Sequence, residues 1–150
     1  MTMDRRRKAE IRALQEATGV TYLVAHRQIL ALAGVMQQHP QLNSFGIGVF
    51  DPRRKTAEQR RDELAAGREE LAARVAVMME TAAWLRESIT RIETPTASSY
   101  AVKHVMERVT GRYVTNGEFI AAALVAGYIF KYDQPNVLFG MSNWDLKRMN

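Results

Sequence analysis

The segment TAEQRRDELAAGREELAARVAVMMETAAWLRESITRIE, Thr56–Glu93, decides how this chain is read. Its opening Thr56-Ala-Glu-Gln59 matches a capping box, in which the threonine hydroxyl and the glutamine side chain each satisfy an amide that the helix start leaves orphaned. No strong helix breaker follows until Pro95. Leu64, Leu71, Val75, Met78, Ala82, Leu85, Ile89 and Ile92 form a heptad-like seam, interrupted once, at Arg68. Glu70 with Arg74 and Glu87 with Arg91 stand in the favourable i,i+4 order. The spacing predicts one helix over residues 57–93, roughly 55 Å long. The positions beside the seam include Ala65, Ala72, Met79 and Ser88, which are not the charged rows of an obligate zipper. Val75–Leu85 carries a single charge, Glu80. A helix apolar around most of its circumference needs cover on several sides. It therefore reads as the centre of a bundle, with a homodimer through Leu71, Val75, Met78 and Leu85 as the alternative.

On the N-terminal side, residues 4–17 read as a short helix with Ile11 and Leu14 on one face, and Thr18-Gly19 as its stop. Tyr22, Leu23, His26, Ile29, Leu30, Ala33 and Met36 recur at helical spacing, which predicts a second helix from about Thr21 to Gln38, ended by Pro40. Residues 39–55 form a connector. Its FGIGVF, Phe45–Phe50, reads as a short strand or an ordered loop packed on the core. Its two glycines match neither the dinucleotide fingerprint nor a Walker loop.

On the C-terminal side, Thr94–Ser99 reads as a linker and Ser99–Thr110 as a helix with Val102, Val105, Met106 and Val109 inward, stopped by Gly111. Thr115-Asn-Gly-Glu118 is a second capping box, with Val114 and Phe119 at hydrophobic-staple spacing. That helix is expected to continue to Ala126. Tyr128–Tyr132 and Val137–Met141, flanking Asp133–Asn136, read as a β-hairpin, with Ser142–Asn150 as a tail. The expected fold is mainly α: a helical bundle with one long central helix and a C-terminal helix-turn-helix plus β-hairpin, in the order of a winged helix. The expected sections are 1–55, 56–95 and 96–150, forming one compact unit.

The 150 residues are 47% hydrophobic and 25% charged, enough for a sizeable core without covalent staples. Cysteine is absent, which excludes disulfides, thiol nucleophiles, thiolate zinc sites and iron–sulfur clusters. The longest uncharged apolar run, Phe119–Phe130, is too short for a membrane span, and no apolar run follows MTMDRRRKAE as in a signal peptide. A cytoplasmic protein without a membrane partner is expected.

The net charge of +5 is unevenly distributed: residues 1–61 hold 11 Lys and Arg against 5 Asp and Glu, while residues 62–150 hold 10 against 11. Two clusters carry the excess: Arg5, Arg6, Arg7 and Lys8, and Arg53, Arg54 and Lys55 with Arg60 and Arg61. Arginines at a chain end and near a helix start can neutralise phosphates with little sequence selectivity; the alternative is a solubilising charge run. Lys103, Arg108 and Arg112 surround the helix-turn-helix and are further phosphate candidates. The helix that would read bases, NGEFIAAALVAG, has no Lys or Arg and reads as a core helix. Asn116 is its single base-reading candidate, and the cap competes for it. Catalysis is not expected, because no nucleophile, base and orienting group converge. His26, His39 and His104 are far apart, and His104 with Glu107 is an isolated pair, so neither a metal nor a cofactor is expected.

The stretch SSYAVKHVMERVTGRYVTNGEFIAAALVAGY, Ser98–Tyr128, with PNVLF after it, resembles the C-terminal part of small uncharacterised proteins of plasmids and phage-like elements. The resemblance implies a mobile-element accessory protein and carries over no activity and no functional residue. The sequence thus points to a non-enzymatic protein that binds DNA or RNA through its N-terminal basic clusters. The alternative is a protein-binding module, such as an anti-restriction or anti-CRISPR inhibitor or a helical subunit of a nucleoprotein complex. That alternative would dock through the apolar helix at Phe119–Gly127 and the methionine-rich centre of the long helix.

Overall fold

The computed structural model describes residues 2–150, which fold into seven helices and two small antiparallel sheets. The helices are α1 (Thr2–Thr18), α2 (Tyr22–Gln38), α3 (Ala57–Ala72), α4 (Val75–Ser88), α5 (Ser99–Thr110), α6 (Asn116–Val125) and α7 (Asn143–Met149). The strands are β1 (Leu42–Asn43), β2 (Gly46–Ile47), β3 (Ala97–Ser98), β4 (Phe130–Asp133) and β5 (Asn136–Phe139). The main core draws on all three expected sections: Leu32 and Leu42, then Leu71, Met78 and Leu85, then Phe119, Val137 and Phe139.

Local sequence signals set most helix ends. Gly19, at φ 73°, turns the chain after α1, and the Thr21 hydroxyl accepts the Val24 amide at the start of α2. Both capping boxes form: Thr56 with Gln59 starts α3, and Thr115 with Glu118 starts α6. Gly111, at φ 70°, closes α5 in the left-handed conformation that costs glycine little. Ile11 and Leu14 of α1 pack against Ala25 and Ile29 of α2 in a second, smaller core.

The single helix expected over residues 57–93 is two helices. The break falls at Ala73-Arg74, without glycine or proline. Arg74 leaves helical geometry at φ −113° and ψ 33°, and its amide bonds the Leu71 carbonyl at 3.0 Å. Its guanidinium Nε reaches the buried carboxylate of Glu118 at 2.8 Å. That ion pair turns the chain so that Leu71 before the break and Met78 and Leu85 after it are all fully buried. The helical run also stops early, at Ser88. The β-branched Thr90 and Ile92 spend their backbone groups elsewhere: the Thr90 carbonyl on Ser142 and the Ile92 amide on Gly140. The Thr90 amide donates to Asp145 at 2.8 Å, and this bond, with a smaller contribution from Arg148, holds the Asp145 carboxyl below the usual carboxylate range.

Helix α6 is the hub. Gly117–Ala123 are all buried, and α6 touches α2, α4, α5 and strands β1, β2 and β5. The connector lies across its first turn. The Ser44 amide donates to the Gly67 carbonyl of α3, and the Ser44 carbonyl accepts from the Gly117 amide, both at 3.1 Å. A methyl group at Gly117 would overlap the Asn43 carbonyl oxygen. The Phe45–Phe50 stretch therefore contributes a two-residue strand and one wall of the core, with Leu42 and Ile47 buried.

The expected hairpin is β4 and β5, paired from Phe130↔Phe139 to Asp133↔Asn136. The linker at Thr94–Ser99 supplies β3, which pairs with β5 so that the sheet order is β3-β5-β4. Tyr128, expected in the hairpin, lies outside it. Its hydroxyl donates in the space between the Leu85 and Ile89 carbonyls, at 2.7 and 2.5 Å, and burial pushes its pKa up to about 12. The tail forms α7, capped by the Ser142 hydroxyl.

Two glycine-to-alanine changes should have opposite signs. Gly117→Ala forces the connector off α6 and should destabilise the fold by about 3 kcal/mol. Gly34→Ala, in α2 with nothing within 4 Å of the new methyl, should stabilise it by about 0.5–1 kcal/mol. Denaturant unfolding of the two variants beside the parent protein checks both.

Candidate functional site

The basic segment Arg53–Arg61 is built on a tight turn. Asp51 adopts φ 47°, and Pro52–Arg54 form one 3-10 turn before Thr56 caps α3. Arg54 pairs with Asp51 at 3.5 Å, and Lys55 with Glu63 at 2.5 Å. Arg60 is held differently. Its guanidinium donates to the carbonyls of Pro52 at 3.1 Å and Lys55 at 2.5 Å. Carbonyl acceptors orient a guanidinium without cancelling its charge. Arg53 and Arg61 are exposed, and neither has a carboxylate at ion-pair distance among the described residues. Glu58 occupies the first turn of α3, where the helix dipole favours a carboxylate. Three cations, Arg53, Arg60 and Arg61, thus remain without a direct counter-charge at one end of α3.

The other basic cluster is more self-compensated. On α1, Arg6 and Arg7 lie 3.3 and 4.0 Å from Glu10, and Lys8 lies 3.8 Å from Asp4, while Arg5 is exposed. Arg6 borders a groove with Glu69, Ala72 and Ala73, at the end of α3 away from Arg60 and Arg61. Arg6 and the Arg60–Arg61 pair therefore border separate grooves. The basic residues on and after α5 are also engaged. Lys103 is buried, bonded to Glu107 at 3.0 Å, rather than lying on a rim. Arg112 pairs with Glu80 of α4, and Arg108 bonds the Asn150 side chain. Asn116 donates to Asn136 at 2.9 Å and accepts from Ser99 at 3.0 Å, which ties it to the hairpin.

Aromatic residues that the sequence scatters converge beside the Arg60 end of α3. Phe45 and Phe50 stand with ring centroids 5.7 Å apart in a groove of about 770 Å³ that also includes Arg60, Arg61, Leu64 and Pro135. A second groove, of about 670 Å³, holds Phe45, Tyr100, Lys103, His104, Tyr113 and Pro135. Sequence spacing misses this convergence because the rings come from the connector, α5 and the α5–α6 turn. The single local signal is Tyr100 with His104 on one face of α5, with centroids 4.5 Å apart.

The surfaces expected to bind a protein are covered by the chain itself. Leu71, Met78, Leu85 and Phe119 are fully buried and Val75 is half-buried, so a homodimer through them would require opening the core. In the apolar Phe119–Gly127 stretch, Phe119–Ala123 are buried, Leu124 and Val125 half-buried and Gly127 exposed. His26, His39 and His104 stay apart, and no group of three His, Asp or Glu gathers at metal-binding distance among the described residues. No single helix among them is long and apolar enough to cross a membrane. The chain matches no protein-family model, no curated protein and no solved structure.

His39 closes α2 and packs against Phe130 and Tyr132, with its Nδ1 2.5 Å from the Tyr132 hydroxyl. Burial lowers its pKa below the ordinary imidazole value. The unfolded chain then takes up a proton more readily than the folded one. Stability is complete above about pH 6.5 and falls as the pH drops through that value toward the lower folded pKa. Unfolding midpoints measured from pH 8 to pH 5 should decline below about pH 6.5, and His39→Gln should flatten that decline.

Proposed function

We propose that this chain is a non-enzymatic, nucleic-acid-associated protein that grips phosphates through Arg53, Arg60 and Arg61, with Arg54 and Lys55 beside them already paired to Asp51 and Glu63. The observation that carries the reading is the set of Arg53, Arg60 and Arg61 at one end of α3, two exposed without a carboxylate and one oriented by carbonyl oxygens. Side chains held outward without a counter-charge gain most from replacing condensed cations on a polyanion. The α1 cluster, whose charges face Glu10 and Asp4, contributes less.

Connectivity lends a second support. The order α4, β3, α5, α6, β4, β5, with β5 between β3 and β4, is the chain path of a winged helix, and we read the C-terminal part in that way. Its reading helix would be α6, which is buried and has no Lys or Arg, so the contacts are proposed for the rim and not for this helix. Such binding positions a nucleic acid without reading its sequence in the major groove. The resemblance of Ser98–Phe139 to plasmid and phage-element proteins fits an accessory protein of a mobile element.

Fluorescence anisotropy with labelled oligonucleotides at about 50 mM salt should detect binding. Replacing Arg53, Arg60 and Arg61 together by alanine should weaken it about tenfold or more. The same variant should reduce the slope of log affinity against log salt by about 2–3. Replacing Arg6 and Arg7 should cost less. No binding to any strand at that salt would sink the reading.

A further inference from the structure

The phosphate-gripping reading does not say which form of nucleic acid the chain takes. We propose that the two aromatic grooves form one continuous track for a single strand, with unpaired bases stacking on Phe50, Phe45, Tyr113 and Tyr100. This inference rests on the nucleic-acid reading and deepens it.

Continuity comes first. The grooves share Phe45 and Pro135 in their walls, so a strand leaving Arg60 and Arg61 would pass Phe50 and Phe45 and reach the groove that holds Tyr113 and Tyr100. Exposure comes second. Phe50 is 63%, Tyr113 73% and Tyr100 53% exposed, so these rings present apolar area to solvent along the grooves. These rings are nonetheless positioned. The Phe45 amide is fixed by the Asn43 side chain at 3.1 Å. The Lys103 ammonium sits 5.5 Å from the centre of the Tyr100 ring and 5.1 Å from that of Tyr113, and holds the two rings in relation to one another. Positioned rings lose little conformational freedom when a base arrives.

Charge supplies the third element. Three carboxylates near the track face cations, Asp51 with Arg54, Glu63 with Lys55, and Glu107 with Lys103, while Glu70 is hydrogen-bonded by the Ser44 hydroxyl and keeps its charge. Arg60 and Arg61 remain for the phosphates at one end. Aromatic platforms beside uncompensated arginines suit a strand whose bases are unpaired, since every base has a π face and every nucleotide a phosphate. A duplex hides those faces, and the element that would read its groove, α6, lies inside the molecule.

The experiment compares four labelled probes of about 12 nucleotides: oligo-dT, oligo-U, a strand abasic at its internal positions, and a duplex. The expected result is that oligo-dT or oligo-U binds at least about tenfold more tightly than the abasic strand and the duplex. Tyr113→Ala and Tyr100→Ala, both at exposed positions, should each lose at least about fivefold for the base-bearing strand. They should leave the abasic strand and the salt slope unchanged, and Tyr113→Phe should bind as the parent does. Circular dichroism confirms that each variant folds. Equal affinity for base-bearing and abasic strands, or a duplex bound as tightly as either, overturns the stacking track while leaving the phosphate reading intact. Absence of binding to all four probes overturns both.

Discussion

Gly117 and Gly67 leave room for the connector to lie between α3 and α6, and the rest of the molecule is arranged around that contact. The Asn43-Ser44 backbone runs where a side chain would stand at Gly117, and the Asn43 side chain fills that place at Gly67. Its Ser44 amide and carbonyl are satisfied by Gly67 on one side and Gly117 on the other. The Asn43 side chain then donates to the carbonyls of Gly46 and Gly48, at 3.2 and 2.7 Å, and closes the loop on itself. A buried segment of irregular backbone is tolerable when its polar groups find partners, and here the partners are the two helices it separates. The result is a core helix buried by its own chain from Gly117 to Ala123.

Two arginines, Arg68 within the apolar seam and Arg74 beside it, secure this arrangement. Arg68 donates to the carbonyls of Met36, His39 and Leu42, at 2.8, 3.0 and 2.8 Å, and so satisfies acceptors that the end of α2 leaves free. Arg74 meets the Glu118 carboxylate, which also accepts the Thr115 amide and is otherwise shut away from water. Removing either guanidinium would leave buried acceptors without donors, a cost greater than the net worth of the bonds themselves.

Covering α6 moves any binding role to the rim. A helix with seven consecutive buried residues presents no face to a groove of DNA, and the side chain at its start, Asn116, is spent on the hairpin and Ser99. What faces solvent is the turn that starts α3 and the rings gathered around Phe45 and Pro135. Charge counted along the chain overstates the first of the two basic clusters. On α1, three of the four cations of Arg5–Lys8 lie within reach of acids one turn away.

Interactions that close within four residues were legible in the amino-acid order. Thr56 with Gln59, Thr115 with Glu118, Gly19, Gly111 and the limits of α2 and α5 depend on hydrogen bonds and backbone freedom that neighbouring residues determine by themselves. The apolar seam also identified residues that are buried, among them Leu71, Met78 and Leu85. Periodicity records that a face is apolar and carries no information about what covers it, so one long helix and a self-associating seam were natural expectations. The break at Arg74, the strand within Thr94–Ser99 and the meeting of Phe45 with Tyr100 and Tyr113 were decided only in three dimensions. Each depends on a partner far along the chain: Glu118 for Arg74, Phe139 and Leu138 for Ala97 and Ser98, and the hairpin's Pro135 for the shared edge of the two grooves. Such pairings are selected by the total surface and polar groups buried at once, a quantity that no local window of sequence contains.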